Sequence, residues 1–422
     1  MAQTVEGSAA VLTQEKTSAK DTVMATGLIT AHGLEHLYGR GFLAVVPSIY
    51  ETLSLVNYQA GLMDAVRALS SGLTSMGSGF FTDVFQHRRA QILAISMGLI
   101  GIGYLLVAVS PTYAVLLVAL LLPSAGSALW HPPALAMLAQ RFPHRRGFLV
   151  SFHRSTGNVG DAIAPIVVAA LLGIVGWRLI IGGGTPMLIL LALLIPIFLR
   201  SVGAHRWSQQ APAARDTKAQ FQSLKQAFKG GGVRAISPIF AVSALHGMGD
   251  RAFLWIVPLY LVQDLGRSYL FMGIHLALLQ AGAIVAGPLL GALSDRIGRK
   301  SITVSIMALA TVLPVTMILS NGGIGLTISV ALFGLFAFSV NSLSQAAAID
   351  IVSGRRLEGT FIGLMWGVNA FFGAATAVAS GFLADAYGRE AAFYTAAALF
   401  FLGFLASLFM PGIKSLRAQA AR

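Results

Sequence analysis

Twelve apolar runs of bilayer-crossing length follow one another along this chain. A helix needs about 20 predominantly apolar residues to span the hydrocarbon core. The runs lie at roughly 24–50, 55–82, 90–109, 112–138, 147–173 and 178–200, then 235–263, 270–293, 301–320, 323–350, 357–383 and 391–412. Within lipid every backbone polar group must be satisfied inside the protein, so such runs fold as a bundle of helices. The expected fold class is an all-α membrane protein with twelve transmembrane helices in two six-helix halves. Composition agrees: 11% of residues are charged, against roughly 25% in an average soluble domain. With no cysteine, a disulfide framework and a thiolate metal site are both excluded.

Between the two groups of six lies a polar, basic stretch, 201–234, with Arg206, Arg215, Lys218, Lys225 and Lys229, and Gly230-Gly231-Gly232 toward its end. It reads as a linker between an N-terminal half, 23–200, and a C-terminal half, 235–412. Residues 1–22 and 413–422 read as cytoplasmic tails, and the first apolar run as an uncleaved insertion signal. Of the 29 Lys and Arg, 22 fall on the tails, the linker and the loops of one face. Three (Arg178, Arg267, Arg389) fall on the other face, and four lie within spans. That bias follows the positive-inside rule. It puts both termini in the cytoplasm and explains the net charge of +13 without a nucleic-acid partner. The expected location is the cell inner (cytoplasmic) membrane, crossed many times.

The halves repeat. Arg40-Gly41-Phe42-Leu43-Ala44-Val45-Val46-Pro47 recurs as Arg251-Ala252-Phe253-Leu254-Trp255-Ile256-Val257-Pro258, and His32-Gly33 as His246-Gly247. Gly176-Trp177-Arg178 aligns with Gly388-Arg389-Glu390. Gly79-Phe80-Phe81-Thr82-Asp83-Val84-Phe85-Gln86-His87-Arg88-Arg89 aligns with Gly291-Ala292-Leu293-Ser294-Asp295-Arg296-Ile297-Gly298-Arg299-Lys300. Repeats on this scale mark a pseudo-symmetric transporter whose site lies between its halves.

The second of those loops, with Gly291, Asp295, Arg296, Gly298, Arg299 and Lys300, resembles the loop signature of the major facilitator superfamily. The first, with Gly79, Asp83, Arg88 and Arg89, departs from it at Val84 and Gln86. The resemblance covers residues ~24–412. It implies the twelve-helix major facilitator fold and a loop whose acid pairs with cations and a helix N-terminus to brace one conformation. A narrower resemblance covers ~125–170. Gly126-Ser127-Ala128-Leu129-Trp130-His131-Pro132, Arg146-Gly147, Gly157-Asn158-Val159-Gly160 and Pro165 are similar to the fosmidomycin-resistance branch, with Pro133 where an acid is expected. This implies export of a small anionic or drug-like molecule driven by proton entry, as an antiporter.

The four arginines within spans are Arg40, Arg67, Arg154 and Arg251, and the acids there are Glu35, Asp64, Asp161 and Asp250, with Asp350 near a helix end. A charge at mid-bilayer costs about 2.5–3.5 kcal/mol on insertion scales, so these groups face the bundle interior and pair. Asp64 and Arg67 are three apart, which predicts an intrahelical structural ion pair. Arg40, Arg154 and Arg251 are expected to bind substrate, because the guanidinium fork matches a carboxylate or phosphate. His32, His131, Asn158, Asn341 and Trp255 are expected beside them. Glu35 and Asp250 are the first candidates for proton coupling, then Asp161, with His36 and His246 as relays.

Enzyme signatures are absent: there is no His-Glu-x-x-His or Gly-x-Ser-x-Gly. Gly298-Arg299-Lys300-Ser301 lacks the earlier glycine of a phosphate loop. No cofactor and no metal is expected. The expected partners are a small, anionic substrate, protons and lipid, with the chain acting as a monomer. Two alternatives stay open: a proton-coupled importer of an organic anion, and a non-transporting receptor on the same scaffold.

Overall fold

The computed structural model describes residues 18–142, 145–201, 225, 231–337, 339–352 and 358–412. Twelve helical spans run through them: α1 (Ala19–Thr52), α2 (Asn57–Val84), α3 (Arg89–Val109), α4 (Tyr113–Arg141), α5 (Arg146–Leu172) and α6 (Trp177–Gly183 with Thr185–Ser201). Then come α7 (Gly231–Phe253, with Val257–Leu259 and the π turn Tyr260–Asp264), α8 (Tyr269–Ile297), α9 (Arg299–Leu319), α10 (Ile324–Phe336 with Ser339–Val352), α11 (Glu358–Tyr387) and α12 (Glu390–Ser407). Each expected span coincides with one of them. Among the described residues, nine helices are long and apolar enough to cross a membrane by length and composition alone. The spans left out, α1, α2 and α7, are more polar because they carry Glu35, Arg40, Asp64, Arg67, Asp250 and Arg251.

Two expected boundaries move. Helix α1 begins at Ala19, inside the stretch 1–22 read as a tail. Ser18 and Asp21 form a capping box, and Arg141 of α4 grips both Asp21 oxygens at 2.6 Å. Polar residues read as tail are therefore the start of the helix. Likewise α7 begins at Gly231, within the stretch 201–234. Residues 1–17, 202–224, 226–230 and 413–422, most of the expected tails and linker, lie outside the described residues.

The packing repeats. In the first half α1 packs on α5, α3 on α4 and α6, and α2 on α4; in the second, α7 packs on α11, α9 on α12, and α8 on α10. The halves meet along α2–α11 and α5–α8. Close approach there depends on missing side chains: a Cβ at Gly61 would run into the Ala377 carbonyl, and one at Gly273 would lie 2.6 Å from the Pro165 carbonyl.

The two copies of the opening repeat differ in backbone. Helix α1 runs through Pro47 to Thr52. Helix α7 breaks after Phe253, and Pro258 starts the next short turn. A proline cannot continue the hydrogen-bond ladder behind it, and here the chain uses that to turn. Trp255 sits at the break, donating to Ser380 Oγ at 3.2 Å.

Call the face where α1 begins the terminal face and the opposite one the distal face. At the distal face the halves are laced by polar bonds. Asp385 of α11 accepts from the backbone N–H groups of Asn57 and Tyr58 at 2.8 and 2.9 Å, capping α2. Arg389 donates to Asn57 Oδ1 at 2.9 Å and to Asp264 at 2.8 Å. Between the two faces, Asp64 of α2 and Arg251 of α7 join the halves at 2.7 Å.

On the terminal face Gly298 joins α8 to α9 at φ 104°, a conformation that suits glycine. Arg299 opens α9 and reaches Asp295 at 2.7 Å, Asp350 at 3.1 Å and Ser294 Oγ at 2.7 Å. Arg89 opens α3 in the same place and donates to Gln140 of α4 at 2.6 Å. The loops thus brace α3 to α4 and α9 to α10 within each half. Arg88 and Arg296 are exposed, Gly291 and Lys300 half-buried, and the Gly79 and Asp83 positions lie at the end of α2, with no Asp83 side chain among the described atoms.

If the Asp385 cap holds the distal face shut, Asp385→Ala should open it. The chain has no native cysteine, so Leu43→Cys, on the central cavity wall, supplies a single thiol. A hydrogen bond to a charged acceptor contributes about 1.5–3 kcal/mol. Labelling by an impermeant maleimide from the distal face should therefore rise severalfold in the Asp385→Ala background. Unchanged labelling would show that the latch lies elsewhere.

Candidate functional site

Seven charged side chains from four helices converge on one cavity of about 320 Å³ between the halves. Helix α1 supplies Glu35 and Arg40, α2 Asp64 and Arg67, α5 Asp161, and α7 Asp250 and Arg251. Asn341 of α10, Asn369 of α11, Trp255, Tyr104 and His36 complete the wall that matters here. The volume suits a small molecule. A second, continuous hollow lined by Ser71, Ser75, Gln345 and Trp366 extends it along α2 and α11.

The expected Asp64–Arg67 pair does not form. Asp64 instead accepts from Arg251 Nη1 at 2.7 Å, across the two halves. Arg67 turns to the Gly39 carbonyl at 3.0 Å and lies over the Phe42 ring at 4.6 Å. Neighbours on α2 diverge because each has a better partner on another helix. The other arginines also ignore their nearest acid in sequence. Arg40 contacts Asp161 of α5 at 3.4 Å, not Glu35, and its side chain remains 44% exposed.

Asp161 holds His36 as well, at 2.9 Å from Nδ1. Glu35 faces the other nitrogen of His36 at 3.4 Å. On α7, His246 Nε2 lies 2.8 Å from the Ala337 carbonyl. A carbonyl only accepts, so that nitrogen carries the hydrogen. Its Nδ1 then presents a lone pair to Asp250 Oδ2 at 3.4 Å. Both His246 Nδ1 and Asp250 Oδ1 are buried without a hydrogen-bond partner.

Not every expected residue reaches the cavity. His32, His131 and His246 stand behind its wall. Arg154, expected to bind substrate, is exposed and does not line it; Asn158 is half-buried and does not line it either. Arg154 lies seven residues from Asp161, about 10 Å along the helix axis at 1.5 Å per residue. Sequence reasoning missed Tyr104, which sits in an unbroken apolar run and leaves no signal. It also missed His153, whose carbonyl accepts from His32 at 2.7 Å and whose ring stacks on it at 3.7 Å.

The glycine run of α5 is explained by these rings. A Cβ at Gly157 would lie 2.5 Å from His32 Cε1 and 3.0 Å from His36 Nε2. A Cβ at Gly160 would lie 2.5 Å from the Gly33 carbonyl. The run lets α5 seat against the histidines of α1.

Comparison with known proteins agrees with this architecture. The profile of the Major Facilitator Superfamily matches residues 28–365 and 239–420. The chain is 27% identical to the uncharacterized MFS-type transporter YfnC of Bacillus subtilis (strain 168), covering 96% of this chain and 97% of that protein. It is 25% identical to the fosmidomycin resistance protein of Escherichia coli (strain K12), covering 97% of each. Among solved structures, an inward-facing, unoccupied bacterial homologue of the human lysosomal transporter Spinster superposes with a TM-score of 0.73 at 15% identity, covering 93% of this chain and 98% of that one. A peptide transporter POT in complex with sulfate superposes with a TM-score of 0.73 at 16% identity, covering 94% of each. The chain, a multi-pass membrane protein of twelve helices around a charged central cavity, belongs to the major facilitator superfamily.

Proposed function

We propose that this secondary transporter exports a small anionic molecule from the cytoplasm in exchange for protons, by alternating access. The observation that carries the coupling is the His246–Asp250 pair. Two acceptors face each other at 3.4 Å, and the second Asp250 oxygen has no donor. A proton shared across that gap satisfies both groups. Asp250 lines the cavity, where the charges facing it are Arg251 of its own helix and Arg40 of α1. A substrate anion that draws either guanidinium away changes how well Asp250 holds its proton.

Arg40 is the substrate clamp in this reading. It is the more exposed of the two cavity arginines with acidic partners, and its contact with Asp161 is the longer. Arg251 is the reporter between halves, because its 2.7 Å bond to Asp64 must lengthen when the halves rock. An anion bound at Arg251, or a proton on Asp64, frees that bond. The cavity's extension along α2 and α11 and the distal latch fit loading from the terminal face, as an exporter requires. The charge bias along the sequence supports a terminal face in the cytoplasm and a place in the cell inner membrane. The similar Escherichia coli protein is named for resistance, which export supplies. Glu35 and Asp161 face the histidines of α1 and are left out of the proton step.

Purified protein in liposomes tests the reading, with fosmidomycin and small organic carboxylates and phosphates as probes. Arg40→Lys keeps the charge but loses the fork, so KM should rise about tenfold with little change in kcat. A normal KM would remove the clamp. Asp250→Asn should retain counterflow exchange of the probe and lose its dependence on a pH gradient. Gradient-driven flux as in the wild type would move the proton site away from α7.

A further inference from the structure

In and behind the cavity wall of the first half, three imidazoles and one carboxylate converge in a way that substrate binding and the proton step do not use. His32 and His36 lie one turn apart on α1, with Glu35 between them, and His131 comes from α4. Each imidazole spends its Nδ1 on a group that only accepts. For His32 it is the His153 carbonyl at 2.7 Å, for His131 the Ser127 carbonyl at 3.0 Å, and for His36 the Asp161 carboxylate at 2.9 Å. Each Nδ1 therefore carries the hydrogen, and each Nε2 presents a lone pair.

Those lone pairs meet. His32 Nε2 lies 3.3 Å from His131 Nε2, and His36 Nε2 lies 3.4 Å from Glu35 Oε2. Acceptors facing one another at these distances repel unless a positive centre lies between them. Glu35 is only 2% exposed, and its Oε2, like His36 Nε2, is buried with no hydrogen-bond partner. One donor atom from each of the four residues lies within 4.8 Å of all the others. A tetrahedral ion with bonds of about 2.0–2.1 Å has ligands roughly 3.3 Å apart, close to the two shortest separations here.

We propose that His32, Glu35, His36 and His131 bind one divalent transition-metal ion, with Zn²⁺ or Co²⁺ as the fitting class. A single proton relieves one of the facing pairs, whereas one ion relieves both. Three imidazoles and a carboxylate are a ligand set such ions take. The outer contacts match what metal-bound histidines require, since each ring donates its Nδ1–H to a carbonyl or carboxylate. His153 stacks on His32 with 21° between the rings and supports its plane. Glu35 and His36 also line the cavity, which gives the ion its route in. Bound there, it ties α1 to α4 and, through Asp161 and the His153 carbonyl, to α5. Among the described residues, the corresponding place in the second half has only His246 and Asp250, two groups on one helix, and takes a proton instead. The proposal departs from the expectation of no metal because the convergence joins separate helices, which the sequence does not bring together. The site is independent of what the cavity transports, and its test needs no substrate.

Full-length protein in detergent, stripped with EDTA, is titrated with Co²⁺ as the spectroscopic probe. The wild type should bind one equivalent with the intense visible d–d bands of tetrahedral coordination, and one equivalent of Zn²⁺ should abolish them. Glu35→Gln and His131→Gln should each weaken Co²⁺ binding at least tenfold, while His246→Gln should leave it unchanged. X-ray absorption of the wild-type Zn²⁺ form should show nitrogen and oxygen ligands near 2.0 Å with imidazole scattering, whatever the variants do to folding. No stoichiometric binding by the wild type would overturn the proposal. So would Co²⁺ bands that persist in a His32→Gln, His131→Gln double variant.

Discussion

A charge inside a bilayer has to find its counter-charge within the protein, because neither water nor lipid can supply one. This requirement organises the centre of the molecule. Arg40 reaches across to Asp161 on α5, and Arg251 reaches across to Asp64 in the other half. Satisfying each arginine thus means bringing two helices together at mid-depth. The glycines of α5 and α2 allow that approach, with Gly157 giving space to imidazoles and Gly61 to a carbonyl. The cavity is what remains between helices joined by charges rather than by apolar side chains.

The two halves share a packing plan and differ in chemistry. Helix α1 passes through its proline intact, whereas α7 breaks at the equivalent place and buries Trp255 there. The first half gathers four histidines, counting His153, around the helix that carries its arginine. The second sets a single His246–Asp250 pair beside its own. The Arg251–Asp64 bond spans the boundary, so any change that charges or occupies one half is felt by the other. In the function proposed above, a duplicated scaffold with unlike interiors lets one half hold a fixed charge arrangement while the other exchanges protons.

Much of the fold was legible in the sequence because lipid leaves so few choices. Twelve apolar runs had to be twelve helices, and the excess of basic loops on one side ordered them. The glycine and arginine of the loop signature announced the turn at Gly298 and the brace from Arg299. The identity of the cavity charges was legible too, since a span carries a charge only where the interior uses it. Their pairing was not. Periodicity describes one helix at a time, so it favoured Asp64 with Arg67 and missed Arg251 on a helix far away in sequence. It placed Arg154 with Asp161 on one face but could not see that the cavity ends between them. It scattered the histidines among three helices and gave no reason to gather them. Helix ends slipped for a related reason: Ser18 and Asp21 look like tail until their capping box is seen and Arg141 of α4 is found holding Asp21.

The central claim is that transport is driven through the charged cavity by protons. It is tested most directly by reconstituting the wild-type protein and following the lumenal pH while a small organic anion is supplied on one side. Proton movement opposite to the anion, stoichiometric with it and absent without it, is the result this account predicts. Anion flux that proceeds at the same rate with the pH gradient collapsed, and moves no protons, would contradict it.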